Sequence, residues 1–257
     1  MQGAEIKRAL REDKVVLGTF ASETWSPNIG PILAAAGFDF MFIDTEHGNF
    51  DMQTVTAIIW AARGAGIAPI VRPPSNDRAS LMRPLDAGAA GLLVPMVETK
   101  EYAQQVIRYT KYPPVGQRGL AMRRAHAGYR AIPVGPYIKQ ANEDTLIVAQ
   151  IETLGSVNNL EEILGVGNID VAFVGPTDLS TTMGYPGQPT HPEVVKTIER
   201  IVEVARRREV AAGIQLMDVK SVQEWIRRGV RFISYCSDAI FIVDNAARDL
   251  AQIREAA

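Results

Sequence analysis

Residues 38–51 read FDFMFIDTEHGNFD. Phe38–Ile43 is a short, mostly apolar run, the length of a strand covered on both faces. Asp44, Glu46, His47 and Asn49 follow at once, and Asp51 opens the helical pattern DMQTVTAIIWAARGAG. A buried strand that ends in a burst of ionisable side chains fits two structures. One is a polar turn capping the next helix; the other is an edge of an active site.

The same strand–helix unit repeats along the chain. Strand candidates are Val15–Phe20, Phe38–Ile43, Ile67–Val71, Gly91–Val94, Leu146–Ile151, Ile169–Val174, Ala211–Leu216 and Arg231–Tyr235. Between them lie helical patterns such as HPEVVKTIERIVEVARRRE, with Val194, Val195, Ile198, Ile201, Val202 and Ala205 at helical spacing. Eight such units in 257 residues predict an α/β fold, a single (β/α)8 TIM barrel over residues 1–257. An open dinucleotide-binding sheet would show G-x-G-x-x-G after its first strand; here the turn reads ASETWSPN. One long insertion, residues 109–138, contains YPPVGQRGLAMRRAHAGYR and reads as a functional loop or lid.

Apolar residues make up 47% and charged residues 22%, the balance of a globular protein. The net charge of −2 argues against nucleic acid, because Arg206–Arg208 is flanked by Glu203 and Glu209. The single cysteine, Cys236, excludes an intrachain disulfide framework and Cys-based zinc sites and fits a reducing compartment. The amphipathic start MQGAEIKRALREDK has no apolar core of a signal peptide, and no run reaches the ~20 apolar residues of a membrane helix. The expectation is a soluble, cytoplasmic protein with no membrane partner.

Barrel enzymes carry their chemistry where strands end. The strand exits here place Asp44, Glu46 and His47 after the second strand and Arg72 after the third. They place Gln150 and Glu152 at the fifth, Asp178 after the sixth, Gln215 and Asp218 after the seventh, and Ser234 and Ser237 at the eighth. Glu152 and Asp178 lie on adjacent exits, and two carboxylates with substrate oxygens suit Mg2+, Mn2+ or Co2+. The same positions equally suit helix starts. Arg72, followed by Pro73-Pro74, suits recognition of a carboxylate or enolate oxygen, or a salt bridge to a neighbouring loop. His47, alone of three histidines, follows a strand among carboxylates and suits acid–base work, although a lone turn histidine is often structural. Asp86, on the helix before the fourth strand, is placed to orient an imidazole. No lysine falls within a predicted strand, which disfavours Schiff-base chemistry, and the last two exits lack the glycines of a barrel phosphate site.

FDFMFIDTEHGNFD, the arginine of IVRPP, LLVPMVET, YPPVGQRG, QIET and FVGPTDLS together resemble the HpcH/HpaI family of class II pyruvate aldolases, over about residues 15 to 245. The resemblance implies a barrel of the phosphoenolpyruvate/pyruvate type and a divalent metal held by Glu152 and Asp178. It implies that Gln150 contacts the pyruvyl unit and that the backbone of Gly175, Pro176 and Thr177 receives a carboxylate. Arg72 would stabilise an enolate, and His47 would be the acid–base residue, with Asp86 tuning it and Asp44 supporting it. The implied reaction is metal-dependent, reversible cleavage of a 4-hydroxy-2-oxo acid to pyruvate or hydroxypyruvate and an aldehyde. The implied assembly is a homo-oligomer, a hexamer built as a trimer of dimers, with the C-terminal helix 238–257 packed on a neighbour. The chain departs from the family pattern at Thr45, in the loop GNFD and in the segment LAMRRAHAGYR, and the last of these bears on the aldehyde end. A citrate-lyase-β-like cleavage of CoA thioesters and a non-catalytic organic-acid-binding barrel are the alternatives.

Overall fold

Each strand-length run forms a strand, and each strand pairs in parallel with its neighbours in sequence. In the computed structural model, which describes residues 1–256, the eighth strand returns to the first and closes the barrel. The strands are β1 Val16–Ala21, β2 Phe40–Asp44, β3 Ala68–Arg72, β4 Gly91–Val94, β5 Leu146–Ile151, β6 Val171–Val174, β7 Ala211–Leu216 and β8 Phe232–Ser237. Four ends run past their expected limits, and β1 does so by one residue, at Ala21. Asp44 and Arg72 are the last residues of β2 and β3 rather than loop residues, and they are paired directly across the ladder. β8 continues to Ser237.

Successive side chains of a strand face opposite ways, and here the two faces meet different cores. Phe20, Phe40, Phe42, Val148, Phe173 and Phe232 pack together inside the barrel. Met41, Ile43, Val71, Ile151, Val174 and Ile214 face outward into the layer beneath the helices. The inner rings are in contact: Phe40 stacks on Phe232 at 4.2 Å, and Phe42 lies 4.7 Å from Phe20 and 5.4 Å from Phe173. The amino-terminal helix Gly3–Arg11 plugs the lower end, with Ile6 fully buried in the inner cluster and Lys7 bonded to Asp170 at 2.9 Å. The interior is therefore solid from the bottom up to Phe42 and Phe173.

That parity decides what lies above. Two residues beyond Phe42 is Asp44, two beyond Ile70 is Arg72, two beyond Val148 is Gln150, and two beyond Phe173 is Gly175. The inward row changes from large apolar side chains to three polar ones and a glycine at one level, which forms the floor of the upper mouth.

The expected insertion is shorter than its sequence limits. Tyr109 and Thr110 finish the helix Lys100–Thr110, and residues 134–138 belong to the helix Val134–Asp144. Between them the chain packs on the barrel's flank: Arg118 pairs with Asp86 at 2.7 Å, and Tyr129 stacks on Trp60. The C-terminal helix spans Asp238–Glu255; position 257, which closes its expected span, lies outside the described residues. No helix among the described residues is long and apolar enough to cross a membrane.

Candidate active site

A pocket of about 310 Å³ opens at the strand C-termini. Its walls come from Phe20, Ser22, Asp44, His47, Arg72, Gln150, Phe173, Gly175, Pro176, Thr177, Asp178, Gln215, Met217 and Ser237. All of the expected site residues except Asp86 and Glu152 line it, and Glu152 sits directly behind Gln150.

Asp44 and Arg72 form the buried centre. Arg72 Nε and Nη2 donate to the two oxygens of Asp44 at 2.9 and 2.6 Å, and Nη1 lies 3.2 Å from Glu46. The guanidinium carbon stands 4.8 Å from the Phe20 ring, so its plane is packed as well as bonded. Asp44 Oδ1 also accepts from the backbone amides of Glu46 and His47, at 3.0 and 3.3 Å. One carboxylate thus aims the arginine and shapes the turn that carries the histidine. Gly48 lets that turn double back: a Cβ there would lie 2.3 Å from the Asp44 carbonyl oxygen. Asp51 is the cap of the following helix, accepting from Thr54 N at 2.7 Å.

Glu152 is 3% exposed, and no basic side chain is bonded to it. Oε1 accepts from Met96 N at 2.9 Å, and Oε2 accepts from Gln150 Nε2. Met96 makes that contact from a left-handed backbone (φ 54°), in a turn propped by Tyr102 Oη donating to Pro95 O at 3.0 Å. Burial pushes the Glu152 carboxyl up to about 7, with the Asp178 and Glu46 carboxylates adding to the rise against the Met96 amide and Arg72. Asp178 approaches from the first turn of the helix Pro176–Thr182; it is a side chain on that turn, not its cap, which is Gly175. A Cβ at Gly175 would lie 2.9 Å from Glu152 Oε2 and 3.2 Å from Gln150 Nε2, so a side chain there would press on both groups.

His47 stands at the rim with 71% of its side chain exposed, its Nε2 3.9 Å from Glu46. Asp86 is not brought to it. Asp86 sits on the helix Arg78–Ala87, facing outward, where the insertion's Arg118 holds it. No lysine lines the pocket. The one lysine with a strongly displaced pKa, Lys111, is fully buried on the flank, where its Nζ donates to the carbonyls of Asn142 and Thr145.

An arginine locked to a strand-end aspartate, facing a buried glutamate and a helix-borne aspartate across a small mouth, is a site with relatives. The model of the HpcH/HpaI aldolase/citrate lyase family matches residues 20–244. The chain belongs to this family. A hydroxypyruvate/pyruvate aldolase of Roseovarius nubinhibens is 34% identical, over 96% of each chain. A 4-hydroxy-2-oxo-heptane-1,7-dioate aldolase of Escherichia coli is 36% identical, over 95% of this chain and 92% of that one. The crystal structure of an HpcH/HpaI aldolase from Desulfitobacterium hafniense superposes with a TM-score of 0.93 at 30% identity, covering 97% of this chain and 96% of that one. With aldolases along its whole length among these relatives, the protein is a carbon–carbon lyase of the aldolase type.

Glu46, which the sequence left without a role, is the arginine's second partner in this aldolase, and burial raises its pKa. Ser22, Phe20 and Met217 also line the pocket. Phe20 and Ser22 were legible through parity: they flank the exit of β1, whose inward row is Val16, Gly18 and Phe20. The Met96 turn had no sequence signal beyond the proline before it.

Proposed function

We propose that the protein reversibly cleaves 4-hydroxy-2-oxo acids to pyruvate, or hydroxypyruvate, and an aldehyde, with a divalent metal. The observation that carries this reading is the meeting, at one barrel mouth, of the Arg72–Asp44 pair with the Glu152 and Asp178 carboxylates. The donor set fits such a metal. Both candidate ligands are oxygens, which suit Mg2+, Mn2+ or Co2+. Glu152 is buried beside other carboxylates, an arrangement that a cation relieves. Among the described residues no group of three or more acidic, histidine or cysteine side chains is gathered for a metal, so substrate and water oxygens would complete the coordination. When bound, the metal supplies Lewis acidity to the 2-oxo acid.

The chain's own residues do the rest. Gln150 orients the pyruvyl unit. The amides of Thr177 and Asp178, which as first-turn groups have no acceptor within their helix, donate to the substrate carboxylate with Gly175 and Pro176 shaping the approach. His47 takes the proton from the 4-hydroxyl; the C3–C4 electrons pass to the pyruvate half, the aldehyde leaves, and C3 takes a proton from solvent water to give pyruvate. Arg72, aimed by Asp44, shares the negative charge that develops on the 2-oxo oxygen. Condensation runs the same steps backwards, with His47 returning the proton. Within one chain Asp86 takes no part.

A homo-oligomer, of the hexamer type that the resemblance implies, is part of the proposal. Ile242, Val243, Leu250 and Ile253 are exposed on the C-terminal helix, an apolar face suited to a second copy. Cytoplasmic placement rests on the single, buried, unpaired Cys236.

The test is a panel of 4-hydroxy-2-oxo acids assayed for pyruvate release across divalent metals. Cleavage that stops with EDTA, with no borohydride-trapped adduct, is the expected result. Cleavage that persists in EDTA, or a lysine adduct, overturns the mechanism. Cleavage of malyl- or citramalyl-CoA alone would transfer the site to the thioester lyases.

A further inference from the structure

We propose that Asp238 is a positioning residue that sets the wall of the pocket on which the aldehyde is held; the inference rests on the aldolase reading above. Asp238 is 3% exposed, at the start of the C-terminal helix. Its Oδ1 accepts from Ser22 N at 3.1 Å, Ser22 Oγ at 3.3 Å and Ala239 N at 2.9 Å. Its Oδ2 accepts from Glu23 N at 3.2 Å and Thr24 N at 2.8 Å. Only the Ala239 contact belongs to its own helix. The other four reach more than 200 residues back in sequence and gather three successive amides of the loop after β1.

Those amides have no helix or strand to join, since the next helix begins only at Ile29. Without the carboxylate they would need other acceptors. The loop they belong to is part of the site, because Ser22 lines the pocket. Its side of the mouth follows from topology. β1 and β8 are neighbours; Glu152 leaves β5, directly opposite β1, and Gly175–Asp178 leave β6, two strands from β8. The 2-oxo acid end lies at β5 and β6, so the wall made by Phe20, Ser22 and Ser237 at β1 and β8 faces the second reactant. Asp238 touches neither reactant and acts through Ser22.

The variant Asp238→Asn keeps the size and removes the match. Whichever way the amide turns, its NH2 faces backbone N–H donors, so one side of the clamp becomes donor against donor. In condensations with Mn2+ and saturating pyruvate, the aldehyde KM should rise about tenfold, ~1.4 kcal/mol. Deuterium exchange into pyruvate without aldehyde should stay within about twofold of wild type. Backbone amides 22–24 should lose hydrogen-exchange protection. An unchanged aldehyde KM, or pyruvate exchange that falls in proportion to condensation, overturns the assignment. If D238N does not fold, Asp238→Glu, which keeps both acceptor oxygens but displaces them by one methylene, must show the same split at smaller size; equal loss in both assays overturns it. If wild type itself neither exchanges nor condenses pyruvate with any metal, the aldolase reading has failed instead. The clamp is then judged by amide protection alone, and unchanged protection in D238N overturns it.

Discussion

The barrel buries two ionisable side chains whose pKa values burial drives to about 7 from opposite directions: Glu152 at the mouth and Lys111 on the flank. Lys111 is 0% exposed and closes a structural joint. Its Nζ donates at 2.7 Å to the carbonyls of Asn142 and Thr145, and Asn142 in turn bonds the backbone of Tyr112. Glu152 is almost as buried, but it stands behind a pocket, next to other carboxylates and an arginine. A displaced pKa marks burial; it marks chemistry only where the group faces a cavity and converging partners. The pair also explains why Lys111, for all its displaced pKa, is no candidate for Schiff-base chemistry at this pocket: its amine is directed at two backbone carbonyls away from it.

The contrast can be broken by mutation. Glu152→Gln keeps volume and removes the carboxylate proposed to hold the metal, so activity should fall by ~10³-fold or more with the fold retained; steady-state kinetics with metal titration checks both. Arg72→Lys should lower kcat/KM by ~10³-fold, because an ammonium cannot hold Asp44 bidentately and still present a donor to the substrate. Circular dichroism separates this loss from unfolding. His47→Asn should reduce turnover by ~10²-fold while metal affinity, read by calorimetry, is preserved. The loss is the smallest of the three, since a histidine this exposed leaves water able to take over part of its role.

Lys111→Met should leave turnover unchanged and stability neutral or improved, by up to a few kcal/mol. The wild type supplies a pH signature. Its folded lysine pKa is lowered to about 7, against ~10.4 in the unfolded chain. Below pH 7 both states are protonated, and the cost of burying the charge is fully present. Between about 7 and 10.4 the unfolded state binds the extra proton, so this residue's contribution to stability rises with pH. Thermal melts should show the gap between wild type and K111M moving in the wild type's favour across that window; a constant gap would show that Lys111 does not titrate there.

Much of this was legible in the sequence, for a definite reason. Strand positions come from short apolar runs, which survive without alignment, and the barrel follows from their number and alternation. Arg72, Gln150 and Glu152 stood out because they interrupt or follow apolar runs at strand ends, and Asp178 because it follows the GPT turn after one. What the sequence hid depends on pairing. Glu46 becomes a partner of Arg72 only through the Asp44 turn, and the acceptor for three loop amides sits at Asp238, over 200 residues away. Asp86 was read as a histidine partner from its helix before the fourth strand and from the family resemblance. Its side chain points outward, and Arg118 from the insertion neutralises it.

The central claim is that Glu152, with Asp178 and a divalent metal, promotes formation of the pyruvate enolate at this mouth. It is tested most directly by following deuterium exchange at C3 of pyruvate by NMR, for wild type and E152Q, with Mn2+ and with EDTA. Rapid exchange only in the metal-loaded wild type is predicted. Exchange that survives EDTA, or that E152Q sustains at the wild-type rate, would contradict it.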